Sequence, residues 1–456
     1  MISVPLDKLH EACGVVAVYT TEKAAPLAHR ALFELQHRGQ EGAGIVSADP
    51  DGSLHVAKGL GLIADAVPFR RIEEMPGLNA IGHCRYSTVD PDQSIQPFVA
   101  VTPYGRLAIA HNGNIKNAPE LQASLEGEGA LISTALDTEL LAHLIARSGA
   151  SDFPGALRYM ADHAVGAYSL TMLCNGRIYA LRDPNGIRPL VLGQLKDGWM
   201  IASETCALDV LHATYVREIE PGELVTIGPE GVEARQLLPP AATTPCVFEL
   251  VYFSRPNSTV FGQSVNSARV RMGMELAAAD KASGFEPPDI VIPVPDSGVP
   301  AAIGYSRRSG VLYEKAILRS HYVGRTFILP DQDSRTSQIE LKLSVVKASV
   351  QGLHVMLIDD SIVRGNTSRQ IVQMVRDAGA AAVSMRVASP PLAWPCYLGI
   401  DTPDRDELVI NRAGSVGKVA DLIGADDLRY LSIDGLRRAT GDQPYCMACM
   451  TGDYPV

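Results

Sequence analysis

Residues 355–368 read Val355-Met356-Leu357-Ile358-Asp359-Asp360-Ser361-Ile362-Val363-Arg364-Gly365-Asn366-Thr367-Ser368. No other stretch limits the fold so tightly. Its grammar is an apolar strand, two acids, a small polar loop and then a helix. The helix is predicted over 369–379. There Ile371, Met374, Val375 and Ala378 follow the helical period, and Gly379 stands where a C-cap belongs. Successive backbone N–H groups, the hydroxyls of Ser361, Thr367 and Ser368, and the start of a helix together make an anion site. Asp359 and Asp360 cannot both meet a phosphate, because like charges repel. They suit ribose hydroxyls or a hard Mg²⁺ beside the phosphate. For an isolated Asp-Asp pair, a solvated turn would be the simpler account.

The regions on either side differ in pattern. Beyond residue 246, apolar runs alternate with helical patterns. Residues 290–294 form one such run, and a helix is predicted over 300–307. This alternation implies a parallel sheet of α/β type. Before residue 240 the runs are short and separated by Gly and Asn turns: 14–20, 107–109, 168–173, 178–181 and 224–227. Residues 138–147 place Leu140, Leu141, Leu144 and Ile145 on one helical face. Antiparallel sheets packed with helices fit this half. Between the halves lies Leu237-Leu238-Pro239-Pro240-Ala241-Ala242-Thr243-Thr244-Pro245, a natural boundary.

Composition narrows the partners. The formal net charge of −11 argues against a general nucleic-acid binder. It does not argue against small anions, which need only a local positive site. No apolar run approaches the roughly 20 residues of a membrane span. The leader, residues 1–12, lacks the apolar core of a secretory signal. A cytoplasmic protein is the consistent reading, with its eight cysteines reduced or metal-bound.

Cys13 sits between that leader and the strand-like run 14–20. Removal of residues 1–12 would make it the N-terminal residue. Its α-amine, titrating near about 7.7–8.0, would then serve as base for its own thiol. A buried structural cysteine is the alternative.

Taken with Ser254-Arg255-Pro256, Asn266-Ser267-Ala268-Arg269, Val294-Pro295-Asp296-Ser297-Gly298 and Tyr322-Val323-Gly324-Arg325-Thr326-Phe327-Ile328, the string at 355–368 resembles the glutamine phosphoribosylpyrophosphate (PRPP) amidotransferases, within the type I phosphoribosyltransferases. The resemblance covers nearly the whole chain. It implies a propeptide at 1–12. An α+β N-terminal nucleophile (Ntn) glutaminase of αββα sandwich form would occupy 13–240. An α/β phosphoribosyltransferase domain with a parallel sheet would occupy 246–456. Cys13 would release ammonia from glutamine through a thioester. The ammonia would travel through a closed path to C1 of PRPP, giving 5-phosphoribosylamine and pyrophosphate, the opening step of de novo purine synthesis. The motifs 35–44, 82–88 and 111–114 imply glutamine contacts from Arg38, Arg85, Tyr86, Thr88 and Asp137. They also imply an oxyanion hole from Asn112 and Gly113. PRPP would meet Asp359, Asp360, Ser361, Arg364, Gly365, Asn366, Thr367 and Ser368, with Arg325 and Lys342 from a flap over 321–347. Mg²⁺ would lie by Asp359, Asp360 and, by position alone, Gly298. Purine nucleotide feedback and a homotetramer are further implications.

Cys446-Met447-Ala448-Cys449, with Cys246 and Cys396, forms a second cysteine set. Four thiolates hold Zn²⁺ or a [4Fe-4S] cluster equally well by ligand count, and a redox Cys-x-x-Cys is a third option. The resemblance implies the cluster, in a structural role, since amidotransfer moves no electrons. Three stretches depart from the family pattern: Val89-Asp90, Arg319-Ser320-His321, and Glu340 ahead of Lys342. An acid near a polyanion opposes binding unless paired or turned away. Two rival readings stay open: a paralogue with the same chemistry in a specialised nucleoside or natural-product route, and a PRPP-sensing regulator without turnover.

Overall fold

In the strand Gly14–Thr20 every residue but Tyr19 is buried, so the strand is covered on both faces. Val16 and Val18 join an apolar cluster with the helix Ala24–Glu34, whose Ala28, Ala31 and Leu32 face the sheet. Val15 and Ala17 join a different cluster, with Ile81, Ala108, Ala110, Leu173 and Ile178. The two-residue period of a strand thus sends alternate side chains into two separate cores.

This strand is central in a seven-stranded sheet that runs Thr214–Glu218, Val191–Leu195, Gly198–Ala202, Gly14–Thr20, Asn79–Arg85, Gly42–Ala48, Leu54–Leu60. A six-stranded sheet runs Gly231–Gln236, Glu223–Gly228, Arg177–Arg182, Gly166–Cys174, Gly105–Ile115, Phe98–Thr102. Neighbouring strands in both are antiparallel. The Val15 cluster lies between the sheets, and a third cluster packs the helices Asp137–Arg147 and Phe153–His163 on the far side of the second. Helix, sheet, sheet, helix is the αββα order expected from the sequence.

The chain then enters a five-stranded sheet, ordered Leu312–Tyr313, Ile290–Pro293, His354–Asp359, Ala382–Val387, Asp427–Tyr430. All its strands are parallel. Its residues divide between two apolar clusters: Val291, Met356 and Ile358 in one, Ile292, Val355 and Leu357 in the other. Burial on both faces explains why its strands read as continuous apolar runs rather than alternating ones.

The predicted helices appear with small shifts. The helix following the Asp-Asp loop spans Asn366–Asp377, starting three residues before the predicted point. Its C-cap is Ala378, one residue before Gly379. Gly379, at φ +99°, donates to the Arg376 carbonyl, and Ala380 donates to that of Val375. This is the Schellman arrangement, in which the glycine stands just past the cap. The helix of the first half starts at Asp137, one residue early.

This computed structural model describes residues 13–85, 95–320, 343–402, 404–441 and 443–456. Among them no helix is long and apolar enough to cross a membrane.

Candidate active sites

Pairing of Gly14 opposite Cys84 brings Cys13 and Arg85, the next residue on each strand, to the same end of the first sheet. There they line a cavity of about 380 Å³ together with Gln96, His111, Gly113, Asn114, Thr134 and Asp137. A cavity of this size suits a small polar metabolite. A thiol, a guanidinium and a carboxylate thus share one enclosure. Arg85 suits a bidentate grip on a carboxylate, and Asp137 suits an ammonium. An α-amino acid carries both groups.

Asp137 is the first residue of its helix. Its Oδ2 accepts from the Ile115 N–H at 3.2 Å, and its Oδ1 lies 3.2 Å from His111 Nδ1. The other ring nitrogen of His111 faces the Ala167 carbonyl at 3.2 Å. Burial alone would lower the His111 pKa, but the Asp137 carboxylate outweighs it and holds the value above the ordinary range. Burial likewise opposes the charge on Asp137, and His111 holds its carboxyl below the ordinary range. The cavity wall at Thr134, with Ser133 before it, is pinned by Glu139, which accepts from both backbone N–H groups and both hydroxyls at 2.6–2.9 Å.

Gly113 lines the cavity, and Asn112 is fully buried beside it. Both polar atoms of the Asn112 side chain lack a hydrogen-bond partner among the described residues. A buried amide left so costs about 1–3 kcal/mol, and an incoming oxyanion would accept from its N–H group.

Arg38 does not line this cavity. Its Nε donates to the Cys13 carbonyl at 3.2 Å. Its Nη1 meets Glu204 at 2.5 Å, and its Nη2 meets Glu249 at 2.7 Å. Arg188 completes the group, with 3.2 Å to Glu249 and two donations, at 3.1 and 3.0 Å, to the Leu398 carbonyl. All four side chains are fully buried, and two cations balance two anions. Burial opposes each charge, but His37, 2.7 Å from Glu204, and Arg38 hold the Glu204 carboxyl low, Arg38 and Arg188 hold that of Glu249 low, and the two carboxylates hold Arg38 high. Arg38 therefore anchors the Cys13 backbone rather than facing the cavity. The sequence singled out only Arg38 of these four, because the others are scattered along the chain.

The second site forms where the strand His354–Asp359 ends. Asp359 and Asp360 are both buried. Asp359 Oδ1 accepts from the Asp360 N–H at 2.9 Å, and Asp360 Oδ1 from the Ser361 hydroxyl at 2.5 Å. Gly365, at φ +89°, turns the loop into the helix, a conformation that opposes any side chain there. Asn366, Thr367 and Ser368 open the helix, where N–H groups favour anions. Arg364 points instead to Glu407, at 2.7 Å. Fully buried Arg269 is lowered to about 10 by burial, with the Asp360 charge the largest opposing influence; this residue had no assigned role in the sequence reading. Gly298 precedes the helix Val299–Ser309, and Arg319 pairs with Asp296 at 2.9 Å. Tyr86, Thr88, Arg325, Lys342, Glu340, the leader and nearly all of the flap lie outside the described residues.

The cysteine set converges from separate segments. Cys246 and Cys446 form a parallel bridge, and the Cys449 carbonyl accepts from the N–H groups of Ala393 and Trp394. The Leu398 N–H reaches Cys396 Sγ at 3.3 Å. Burial pushes Cys246 up to about 12 and Cys446 to about 11, and Cys449 well above the ordinary thiol value. Among the described residues no group of three or more His, Cys, Asp or Glu side chains is arranged to hold a metal ion.

The chain is similar to known proteins along nearly its whole length. Residues 83–210 match the family described as glutamine amidotransferase domain. The amidophosphoribosyltransferase of Bacillus subtilis is 42% identical over 98% of this chain and 94% of its own length. That of Archaeoglobus fulgidus is 42% identical over 97% and 98%, and the chloroplastic amidophosphoribosyltransferase 2 of Arabidopsis thaliana 45% over 99% and 80%. The solved glutamine PRPP amidotransferase from B. subtilis, complexed with ADP and GMP, superposes with a TM-score of 0.91, covering 97% of each chain. Identity at this level, sustained along nearly the whole length and through both domains, means that the chain belongs to the amidophosphoribosyltransferase family.

Proposed function

We propose that the chain transfers the amide nitrogen of glutamine to C1 of PRPP, releasing pyrophosphate and opening purine synthesis. The observation that carries this reading is the cavity shared by Cys13, Arg85, Gly113 and Asp137. Arg85 binds the glutamine α-carboxylate, and Asp137 the α-ammonium. The Cys13 sulfur adds to the amide carbon, and the carbonyl electron pair moves to oxygen. The Gly113 N–H and the Asn112 side-chain amide stabilise that oxyanion, at about 3–4 kcal/mol for one donor. The thiol proton passes through the base to the leaving nitrogen, ammonia departs, and water hydrolyses the thioester to glutamate. With residues 1–12 removed, the base is the Cys13 α-amine. Ammonia then attacks C1 in the second domain, and the bond from C1 to the pyrophosphate oxygen breaks.

Asp359 and Asp360 would hold Mg²⁺ or ribose hydroxyls, with Gly298 nearby by position. The first turn at 366–368 would take the 5-phosphate. Bound Mg²⁺ would supply charge neutralisation of the pyrophosphate. The four-cysteine set fits a [4Fe-4S] cluster in donor chemistry. Burial disfavours the thiolates of Cys246, Cys446 and Cys449, and iron would relieve that; its role would be to clip three segments together. Purine nucleotide feedback is supported by the ADP and GMP of the B. subtilis structure. A homotetramer and a cytoplasmic setting complete the reading.

The test uses anaerobically purified protein with glutamine, PRPP and Mg²⁺. PRPP-dependent glutamate release and phosphoribosylamine formation are expected, with iron and sulfide near four each per chain. Absence of turnover in protein with its iron intact would overturn the reading. Intact-mass measurement checks the leader; a mature form not beginning at Cys13 would remove the α-amine mechanism.

A further inference from the structure

The strand that carries Asn112 and Gly113 is not held by the first domain alone. Gly113, at φ +148°, has its backbone pressed between two segments. On one side lies Ala167 of the same domain: a Cβ on Gly113 would stand 2.0 Å from the Ala167 carbonyl oxygen. On the other side lies Gly399 of the second domain. A Cβ on Gly399, itself at φ +100°, would stand 2.8 Å from both Cα and the carbonyl carbon of Gly113, and 3.0 Å from its oxygen. Two neighbours of Gly399 tie its loop down. The Tyr397 carbonyl accepts from the Asn114 side-chain amide at 2.9 Å. The Leu398 carbonyl accepts twice from Arg188, within the buried charge group that also reaches the Cys13 carbonyl through Arg38.

We infer that residues 397–399 of the second domain are a positioning element for the oxyanion donor at Gly113, so that amide hydrolysis requires the second domain to be docked. The inference rests on the proposed function. Backbone touches backbone across the seam, so nothing in the contact can yield as a side-chain tip would. A shift of Gly113 moves its N–H relative to Cys13. Misplacement by about 1 Å costs on the order of 10²-fold in rate. The donor matters most in the transition state, so the loss belongs in kcat rather than KM.

The experiment compares wild type, Gly399→Ala and, as a control, Gly417→Ala, where an added Cβ meets nothing within 4 Å. Three readouts are taken: glutaminase kcat and KM, product formation with ammonium in place of glutamine, and alkylation of Cys13 by iodoacetamide, which needs no oxyanion hole. Gly399→Ala is expected to lower glutaminase kcat tenfold or more. KM, ammonium-dependent synthesis and alkylation should stay within twofold of wild type, and Gly417→Ala should match wild type throughout. Full glutaminase in Gly399→Ala would overturn the inference and leave the proposed function standing. Equal loss of both activities would also overturn it, because the loop would then be a general structural element. A wild type that cannot hydrolyse glutamine would overturn the proposed function instead. If Gly399→Ala does not fold, Asn114→Ala decides. It removes the tie to Tyr397, and an unchanged kcat would sink the inference.

Discussion

The two sites are built by opposite means. The Asp-Asp loop is one continuous segment, 359–368, at the end of one strand and the start of one helix. The cavity at Cys13 draws on residues 13, 85, 96, 111, 113, 114 and 134–137, and the Cys13 backbone is anchored through residues 38, 204 and 249. Damage to the loop should therefore stay local. Damage to the cavity's supports should spread across the boundary between the domains.

Cys13→Ala should have the largest effect, cutting glutamine hydrolysis by at least about 10³-fold, as loss of a nucleophile does elsewhere. Ammonium-dependent synthesis should survive. If it falls as well, the two sites are not separable. Glu249→Ala comes next. It leaves Arg38 and Arg188 buried with one anion between them, a loss of about 3–5 kcal/mol. The denaturant midpoint should drop, and both activities should fall together. A stability change confined to one domain would contradict a shared support. Arg85→Ala should raise KM for glutamine by about 10–10²-fold through loss of a charged hydrogen bond, with the PRPP constants unchanged. Ser368→Ala should raise KM for PRPP by about fivefold, the effect of one neutral hydrogen bond, and leave basal glutaminase alone. Any effect on glutamine KM would show that the loop is less local than its sequence suggests.

The smallest effect concerns pH. His111 is held above the usual imidazole value, so its share of stability is complete below about 6.5 and is lost as pH rises through its higher folded value. Asp137 is held low, so its share is present above about 3.9 and is lost as pH falls through its lower folded value. The pair therefore contributes most on the acid side of neutrality. NMR titration should place the His111 midpoint above 6.5, and Asp137→Asn should lower it. A midpoint at or below 6.5 would remove the pair from the cavity's electrostatics.

Legibility followed the same division. Strand, loop and helix at 354–377 were readable because each piece declares itself within a few residues: an apolar run, polar small residues, a helical period. The antiparallel sheets packed with helices were readable in kind from short runs between turns, and the αββα order from the family resemblance. The order of the thirteen strands was not, because non-neighbouring segments choose their partners by packing. Gln96 lines the cavity although nothing local marks it, and His111 does so from a motif read only for Asn112 and Gly113. Arg38 sits in a motif that suggested a substrate contact, yet its guanidinium is committed to Glu204, Glu249 and the Cys13 carbonyl. Arg364, expected at phosphate, pairs with Glu407, whose position the motif cannot foretell.

By itself, the amino-acid sequence determined the strand, polar loop and helix at 354–377, the antiparallel pattern of one half against the parallel pattern of the other, and the family resemblance. These depend on neighbours in the chain, whose spacing is covalent. The tertiary structure alone decided which charges neutralise one another at zero exposure and which backbone presses on Gly113. Glu249 lies 211 residues from Arg38, and Gly399 comes from the other domain. Such contacts depend on the docking of surfaces, and that docking is set by the summed packing of both domains rather than by any local run of residues.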